Sequence, residues 1–324
     1  IKGYSLQALA HGADTVVHFR WRTAVSGAEM FWHGLLDHSN IPGRRFREFE
    51  QLCIEAKELE YLEGTKVKSQ VAILYSSDNE YAFKIQPQTQ GMYYMEQLKL
   101  FHAAFTKYGM NVDIIGQHED FEGYKIIVAP QMYITDEDVV NRLYDKMGGT
   151  VILTNRSGVK DHVNKCIMSP LPTVYRKLVG AYVEEYNPLG EDIVTLEFAD
   201  KTECTGRQWC DILCTENAKT IVSYANRFYQ GKAAVTENHY GDGLAYYVGT
   251  VSEKKFYYKF IKYILEATGI DFIDGLPENV EITTREGMGK KVQFVFNNTD
   301  IAQDFILYDK KLHLEPFEMK MNHL

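Results

Sequence analysis

The sequence predicts an α/β protein followed by a small antiparallel β domain, and three textures carry that reading. Between residue 66 and about 272, short β-rich runs alternate with helical patterns, which implies parallel strands joined by crossover helices. Past Gly275 and Pro277 the runs become Val280-Glu281-Ile282-Thr283-Thr284, Val292-Gln293-Phe294-Val295-Phe296 and Phe305-Ile306-Leu307. Separated by Asn297-Asn298 and Asp309-Lys310, these read as antiparallel strands. Residues 1–45 hold one apolar run, Thr15-Val16-Val17-His18-Phe19, between helical stretches. One strand and its helices cannot enclose a core, so this segment reads as the last βα unit of a larger α/β structure, and its strand needs covering from elsewhere.

In order, a helix is expected around Tyr4 to Ala10, a turn at Gly12-Ala13-Asp14, and a second helix from Gly27-Ala28 through Leu35-Leu36 that Pro42-Gly43 breaks. From Arg44 to Glu63, Phe46, Phe49, Leu52, Cys53, Ala56, Leu59 and Leu62 recur at spacings of three and four, the face of a connecting helix. Strands follow at Gln70–Tyr75, Val112–Ile115, Ile126–Ala129 and Thr150–Leu153. Between them lies a helix near Met92–Tyr108, closed by Gly109. Another helix follows Thr135, with Asp138 completing a weakened capping box, and stops at Gly148-Gly149. Later strands are expected at Ile221–Ala225 and Leu244–Val248, the latter entered by Gly241-Asp242-Gly243. Glu253–Ala267 gathers Phe256, Phe260, Ile261, Ile264 and Leu265 on one face. It can be read as a basic surface helix or as a cover for the sheet, and the acidic balance of the whole favours the cover.

At 324 residues the chain is long enough for more than one core. A net charge of −9 does not attract polyanions, which argues against nucleic acid as a partner. No run of about 18 apolar residues could span a bilayer. The opening Ile1-Lys2-Gly3-Tyr4 has neither an initiator Met nor a secretory pattern, so a soluble, cytoplasmic and truncated chain is expected. Five cysteines fit a reducing compartment better than a disulfide framework. Cys204, Cys210 and Cys214 cluster, and Cys166 follows His162 by four, but neither spacing is that of paired zinc knuckles, leaving buried thiols or a metal site. Twenty-two tyrosines suit sugar contacts, aromatic interfaces or a merely Tyr-rich background.

The densest polar group is His18-Phe19-Arg20-Trp21-Arg22 at the carboxyl end of the first strand, followed by Glu29, Trp32 and His33. In a (β/α)8 barrel that rim is where active sites are built. On a helix Glu29 would share a side with Trp32 and His33, giving a carboxylate, an indole and an imidazole for one ligand. Sugars want such a set: charged acceptors for hydroxyls and an aromatic face for the ring. A surface Glu/His pair beside a core Trp would leave the same pattern.

The runs Gln7-Ala8-Leu9-Ala10-His11-Gly12-Ala13-Asp14, Phe19-Arg20-Trp21-Arg22 and Ser26-Gly27-Ala28-Glu29 resemble the end of the catalytic barrel of glycoside hydrolase family 42. The resemblance continues through Arg45-Phe46-Arg47-Glu48, Val71-Ala72-Ile73-Leu74 with Asp78-Asn79, the run from Gly149 to Gly158, and Tyr246-Tyr247-Val248-Gly249-Thr250, so it covers nearly the whole chain in order. It implies a barrel remnant over 1–45, a connecting helix over 46–65, a doubly wound trimerisation domain over 66–272, flavodoxin-like or similar to class I glutamine amidotransferases, and a C-terminal antiparallel β domain over 273–324. Phe19 and Glu29 would line the galactose subsite, with a further contact from Trp32 or His33, of which His33 is favoured as hydroxyl partner. The implied reaction is retaining hydrolysis of terminal β-galactosides by two carboxylates about 5 to 5.5 Å apart. Both would come from earlier barrel strands, and a full barrel needs about 250 residues, so these 324 residues alone are expected to be inactive. A homotrimer is implied, with no cofactor and no metal.

Two rivals stand beside this. An amidotransferase needs a thiolate at a strand-to-helix elbow, and Leu153-Thr154-Asn155-Arg156-Ser157-Gly158 contains no Cys; a serine variant would use Ser157 with His239. A pure assembly or binding module needs no catalytic group at all.

Overall fold

A computed structural model describes residues 1–146 and 148–324 and divides them into two compact units, 1–68 with 273–324 and 69–272. In chain order come α1 (Lys2–Ala10), α2 (Arg44–Ala56) with a 3₁₀ extension over Lys57–Leu62, β1 (Lys66–Val67), β2 (Val71–Tyr75), α3 (Ser77–Ile85) and α4 (Tyr94–Thr106). Next are β3 (Val112–Gly116), β4 (Ile126–Ala129), α5 (Glu137–Asp145), β5 (Thr150–Thr154) and the short α6 (Arg176–Val179). Then follow β6 (Ala181–Phe198), β7 (Glu203–Thr215), β8 (Lys219–Tyr224), β9 (Ala233–Tyr240), β10 (Gly243–Val248), β11 (Thr250–Ser252) and α7 (Lys254–Thr268). The chain closes with β12 (Val280–Gly287), β13 (Lys290–Asn297), β14 (Gln303–Leu307), β15 (Lys310–Leu314) and β16 (Met319–His323).

The larger unit is an α/β structure on one ten-stranded sheet, ordered β11-β7-β6-β8-β9-β10-β5-β4-β2-β3. Five strands, β3, β2, β4, β5 and β10, run parallel. Alternate side chains of the parallel strands enter opposite cores, as a period of two requires. Val71, Ile73, Val128 and Ile152 join Phe101 and Phe105 of α4 and Phe256, Phe260 and Ile264 of α7 on one face. Ala72, Leu74, Ile127, Val151 and Leu153 join Val139, Val140 and Leu143 of α5 on the other. The apolar face of α7 therefore covers the sheet.

The helix after α3 begins at Tyr94 and is followed by Gly109 with φ +67°, the left-handed residue expected there. Helix α5 is capped one residue later than the capping box suggested: the Asp136 carboxylate accepts from the Val139 N–H at 3.1 Å. The larger departure lies in β6 to β9 and β11, which are antiparallel where alternation had implied parallel strands only. Strand β6 contains Pro188 and Gly190, residues that break sequence patterns, and both fall at register shifts. The strand absorbs them as bulges and continues for 18 residues.

In the smaller unit β1, β12, β13 and β16 form an antiparallel sheet, and β14 pairs with β15. Residues assigned from sequence to a barrel remnant, a connecting helix and a terminal β domain thus lie together in one compact unit. One core joins Leu6 and Ala10 of α1, Leu52 of α2 and Leu62 to Val292, Phe294 and Phe296. Arg285, only 2% exposed, binds this unit together. It donates to the carbonyls of Leu9 (2.6 Å), Ala13 (3.2 Å) and Thr65 (2.8 Å) and to the Thr65 hydroxyl (3.0 Å), and lies 3.4 Å from the Asp14 carboxylate.

Two expected elements are absent. Residues 15–19 join no ladder, and residues 27–36 form turns and bends rather than a helix. A parallel strand is held only by neighbours on its sides, and the described residues offer residues 15–19 none. Replacing Arg285 by Ala takes a buried donor from three carbonyls and from the Thr65 hydroxyl, so Arg285→Ala should cost about 3 kcal/mol. Urea denaturation checks this, and an unchanged midpoint would refute the anchoring role.

Candidate functional site

Residues 20–24 and 34–38 take the place of the expected strand and helix as a short zipped pair. The Leu35 and Leu36 N–H groups donate to the carbonyls of Arg20 (2.8 Å) and Trp21 (2.9 Å), and the Thr23 N–H donates to the Leu36 carbonyl (3.0 Å). Thr23, buried, accepts from the Gly34 N–H at 2.9 Å and donates to the Leu36 carbonyl at 3.2 Å. A Cβ on Gly34 would fall 2.8 Å from the backbone of Arg22 and Thr23, so only glycine permits the approach. The segment is docked on both helices of its unit. The His18 Nε2 is 3.1 Å from the Ser5 hydroxyl and its ring meets Phe49 edge-on at 5.0 Å, while Trp21 meets Phe46 at 5.5 Å.

The loop between these anchors, residues 25–33, carries Glu29, Trp32 and His33, and Phe19 stands just before the first stem. The Arg20 guanidinium lies 4.7 Å over the Phe19 ring and donates to the Glu29 carboxylate, so Phe19, Arg20 and Glu29 form one cluster. Trp32 is tied to Glu29 only through its backbone, its N–H donating to the Glu29 carbonyl at 3.0 Å, and His33 is exposed with no side-chain hydrogen bond among the described residues. Glu29, Trp32 and His33 thus share one loop, Phe19 precedes its first stem, and of the four only Phe19 and Glu29 are drawn together. The pattern reading missed Arg20 as the link; its position beside Phe19 was the available signal. Phe19 is 69% and Trp32 61% exposed, and Val17, Val25, Phe31 and Ile41 lie open near them in sequence. These six large apolar side chains are thus turned to solvent along 25 residues.

The larger unit contains a second polar group at the carboxyl ends of its parallel strands. Asp211, fully buried, accepts from the Trp209 indole N–H (2.8 Å), the Tyr247 hydroxyl (2.8 Å) and the Arg156 backbone N–H (3.1 Å). Burial pushes its carboxyl up, against the lowering effect of Arg156 and the three hydrogen bonds, and raises Tyr247 as well. The elbow after β5 is formed by Arg156 at φ +66°, and no thiol stands there. Ser157 is no better placed as a nucleophile: its hydroxyl donates to the Thr154 carbonyl (2.7 Å) and accepts from the Met132 N–H (3.1 Å), and His239 is not its partner.

Cys204 and Cys210 are buried thiols whose pKa burial raises, and Cys214 lies 3.3 Å from the Glu184 carboxylate. Among the described residues, the side chains grouped closely enough to share a metal ion are instead His118, Asp136 and Asp138. There Asp136 caps α5 and Asp138 accepts from Arg142. No described helix is long and apolar enough to cross a membrane.

Residues 69–271 match the family profile described as "Beta-galactosidase trimerisation domain", and residues 1–59 match the profile "Beta-galactosidase". The beta-galactosidase BgaA of Clostridium cellulovorans is 46% identical over 94% of this chain and 47% of its own length. The beta-galactosidase Pbg of Clostridium perfringens is 32% identical over 98% of this chain and 50% of its own. Among solved structures, the cold-adapted beta-galactosidase from Rahnella sp. R3 superposes with a TM-score of 0.94 at 26% identity, covering all of this chain and 51% of that one. The chain spans about half the length of the curated relatives it matches. With two family profiles matched in order over most of its residues, the chain belongs to the β-galactosidases of glycoside hydrolase family 42.

Proposed function

We propose that the chain is the C-terminal part of a β-galactosidase that hydrolyses terminal non-reducing β-D-galactosyl residues with retention. In this reading residues 1–45 close a catalytic barrel, and residues 66–272 form a flavodoxin-like, amidotransferase-like domain that assembles a homotrimer. Residues 46–65 connect the two, and 273–324 are a terminal β domain. The observation that carries it is the pairing of two ordered family matches with an exposed apolar rim at residues 17–41, a surface made for a partner structure. The five parallel strands support the doubly wound reading: along the sheet they stand in the order second, first, third, fourth, fifth, with a switch point beside the first.

The loop supplies part of the galactose subsite. Phe19 offers a ring face to the apolar side of the sugar, and Glu29, held by Arg20, accepts from its hydroxyls. Trp32 and His33, free of side-chain commitments to Glu29, turn toward the sugar as the rim is covered, His33 serving as the hydroxyl partner. The acid and the nucleophile belong to barrel strands outside these residues, so the chain by itself holds the sugar incompletely and cleaves nothing. The protein works in the cytoplasm, needs no cofactor, and takes neither nucleic acid nor membrane as partner.

Two measurements test this. Sedimentation of the chain at micromolar concentration should show a trimer, while nitrophenyl β-galactoside should not be turned over; a strict monomer or clear hydrolysis would overturn the respective claim. In the whole enzyme, Glu29→Ala should lower kcat/KM by an amount equivalent to about 2 to 4 kcal/mol, and wild-type kinetics would remove Glu29 from the subsite.

A further inference from the structure

We propose that Arg156 and Lys160 form a binding site for a small oxyanion, a phosphate or a carboxylate, beneath the loop that carries Gln86 and Gln88. The inference does not depend on the galactosidase reading. Arg156 stands at the elbow that follows β5, on the carboxyl edge of the parallel strands, where α/β sheets receive their ligands. Arg156 and Lys160 are each only 7% exposed, and both face the ring of Tyr133, at 5.7 and 5.2 Å from its centroid. The guanidinium also lies 4.6 Å from the Trp209 ring and 5.2 Å from that of Tyr186.

Neither side chain is met by a carboxylate. Arg156 donates to the Gln88 amide oxygen at 2.9 Å, and its buried Nε has no acceptor. Lys160 donates to the amide oxygens of Gln86 (3.1 Å) and Asn164 (2.9 Å). The nearby acid, Asp211, spends its oxygens on Trp209, Tyr247 and the Arg156 backbone. Two cations are thus held almost dry against one acid, with neutral amides where charged oxygens would bind better. On the strand ends bordering the elbow, Gln131 and Asn155 are fully buried and neither amide has a hydrogen-bond partner. Such vacant donors suit an oxyanion, and the fork of Arg with the point charge of Lys is a usual way to hold one.

The cover is slight. Gln86 and Pro87 are exposed and Gln88 half-buried, so the oxygens that an anion would replace come from a surface loop.

The test is calorimetric titration of the chain with sodium phosphate and, separately, sodium acetate at constant ionic strength, up to about 10 mM. One of the two should bind saturably at one site per chain, and which one does so identifies the anion. Lys160→Gln should weaken that binding at least tenfold, with circular dichroism confirming an unchanged fold. The surface double variant Gln86→Ala with Gln88→Ala, which removes the competing oxygens and leaves the core untouched, should tighten it severalfold. Absence of saturable binding by either anion, or equal affinity in wild type and both variants, would overturn the proposal.

Discussion

A buried ionisable group has to be met by partners, and in each unit one such group draws together parts of the chain that are far apart in sequence. In the smaller unit it is Arg285, whose donors reach the carbonyls of Leu9, Ala13 and Thr65. Those contacts fix where the chain leaves α1, and the segment that bears Phe19 and Glu29 follows from there. In the larger unit it is Asp211, whose three donors come from β7, β10 and the elbow after β5. Apolar packing supplies most of the cohesion, yet these two groups set which segments sit beside each other, because their partners are geometrically specific where hydrophobic contact is not.

The candidate subsite is rigid at its base and open at its rim. Thr23, Gly34 and the paired backbone of residues 20–24 and 34–38 hold the two stems of the loop, while Trp21 and His18 pin it to Phe46 and Phe49. Beyond the stems, Trp32 and His33 have no side-chain hydrogen bond among the described residues, whereas Glu29 is held by Arg20. In the proposed reading the stems set the positions of these groups, and the surface that covers the exposed rings would set their final orientations.

Much of the fold was legible from residue order alone. Runs such as Val71-Ala72-Ile73-Leu74 and Thr150-Val151-Ile152-Leu153 are apolar without alternation because both faces of a parallel sheet are covered, and they fell where expected. The apolar stripe of α7 and the glycine after α4 were equally plain. The antiparallel half was hidden by Pro188 and Gly190, which mark breaks in most contexts and here mark bulges. Residues 15–36 failed for the opposite reason: the pattern of Thr15 to Phe19 records a sheet environment that the described residues do not supply. The Phe19 and Glu29 pairing could be suspected from spacing, whereas the Arg20 bridge and the Arg156 elbow depend on backbone turns that no periodicity encodes.

The irregularity of β6 also bears on how the protein stays dispersed. Over residues 184 to 193 the strand pairs with β7 on one side, and no strand among the described residues pairs with the other. An open flank of that length in a flat strand would template the addition of another chain, the first step toward sheet-to-sheet aggregation. Pro188 has no N–H to offer an added strand, and the register shifts on either side of Gly190 interrupt the regular spacing of its neighbours. The residues that disguised the strand thus also protect it.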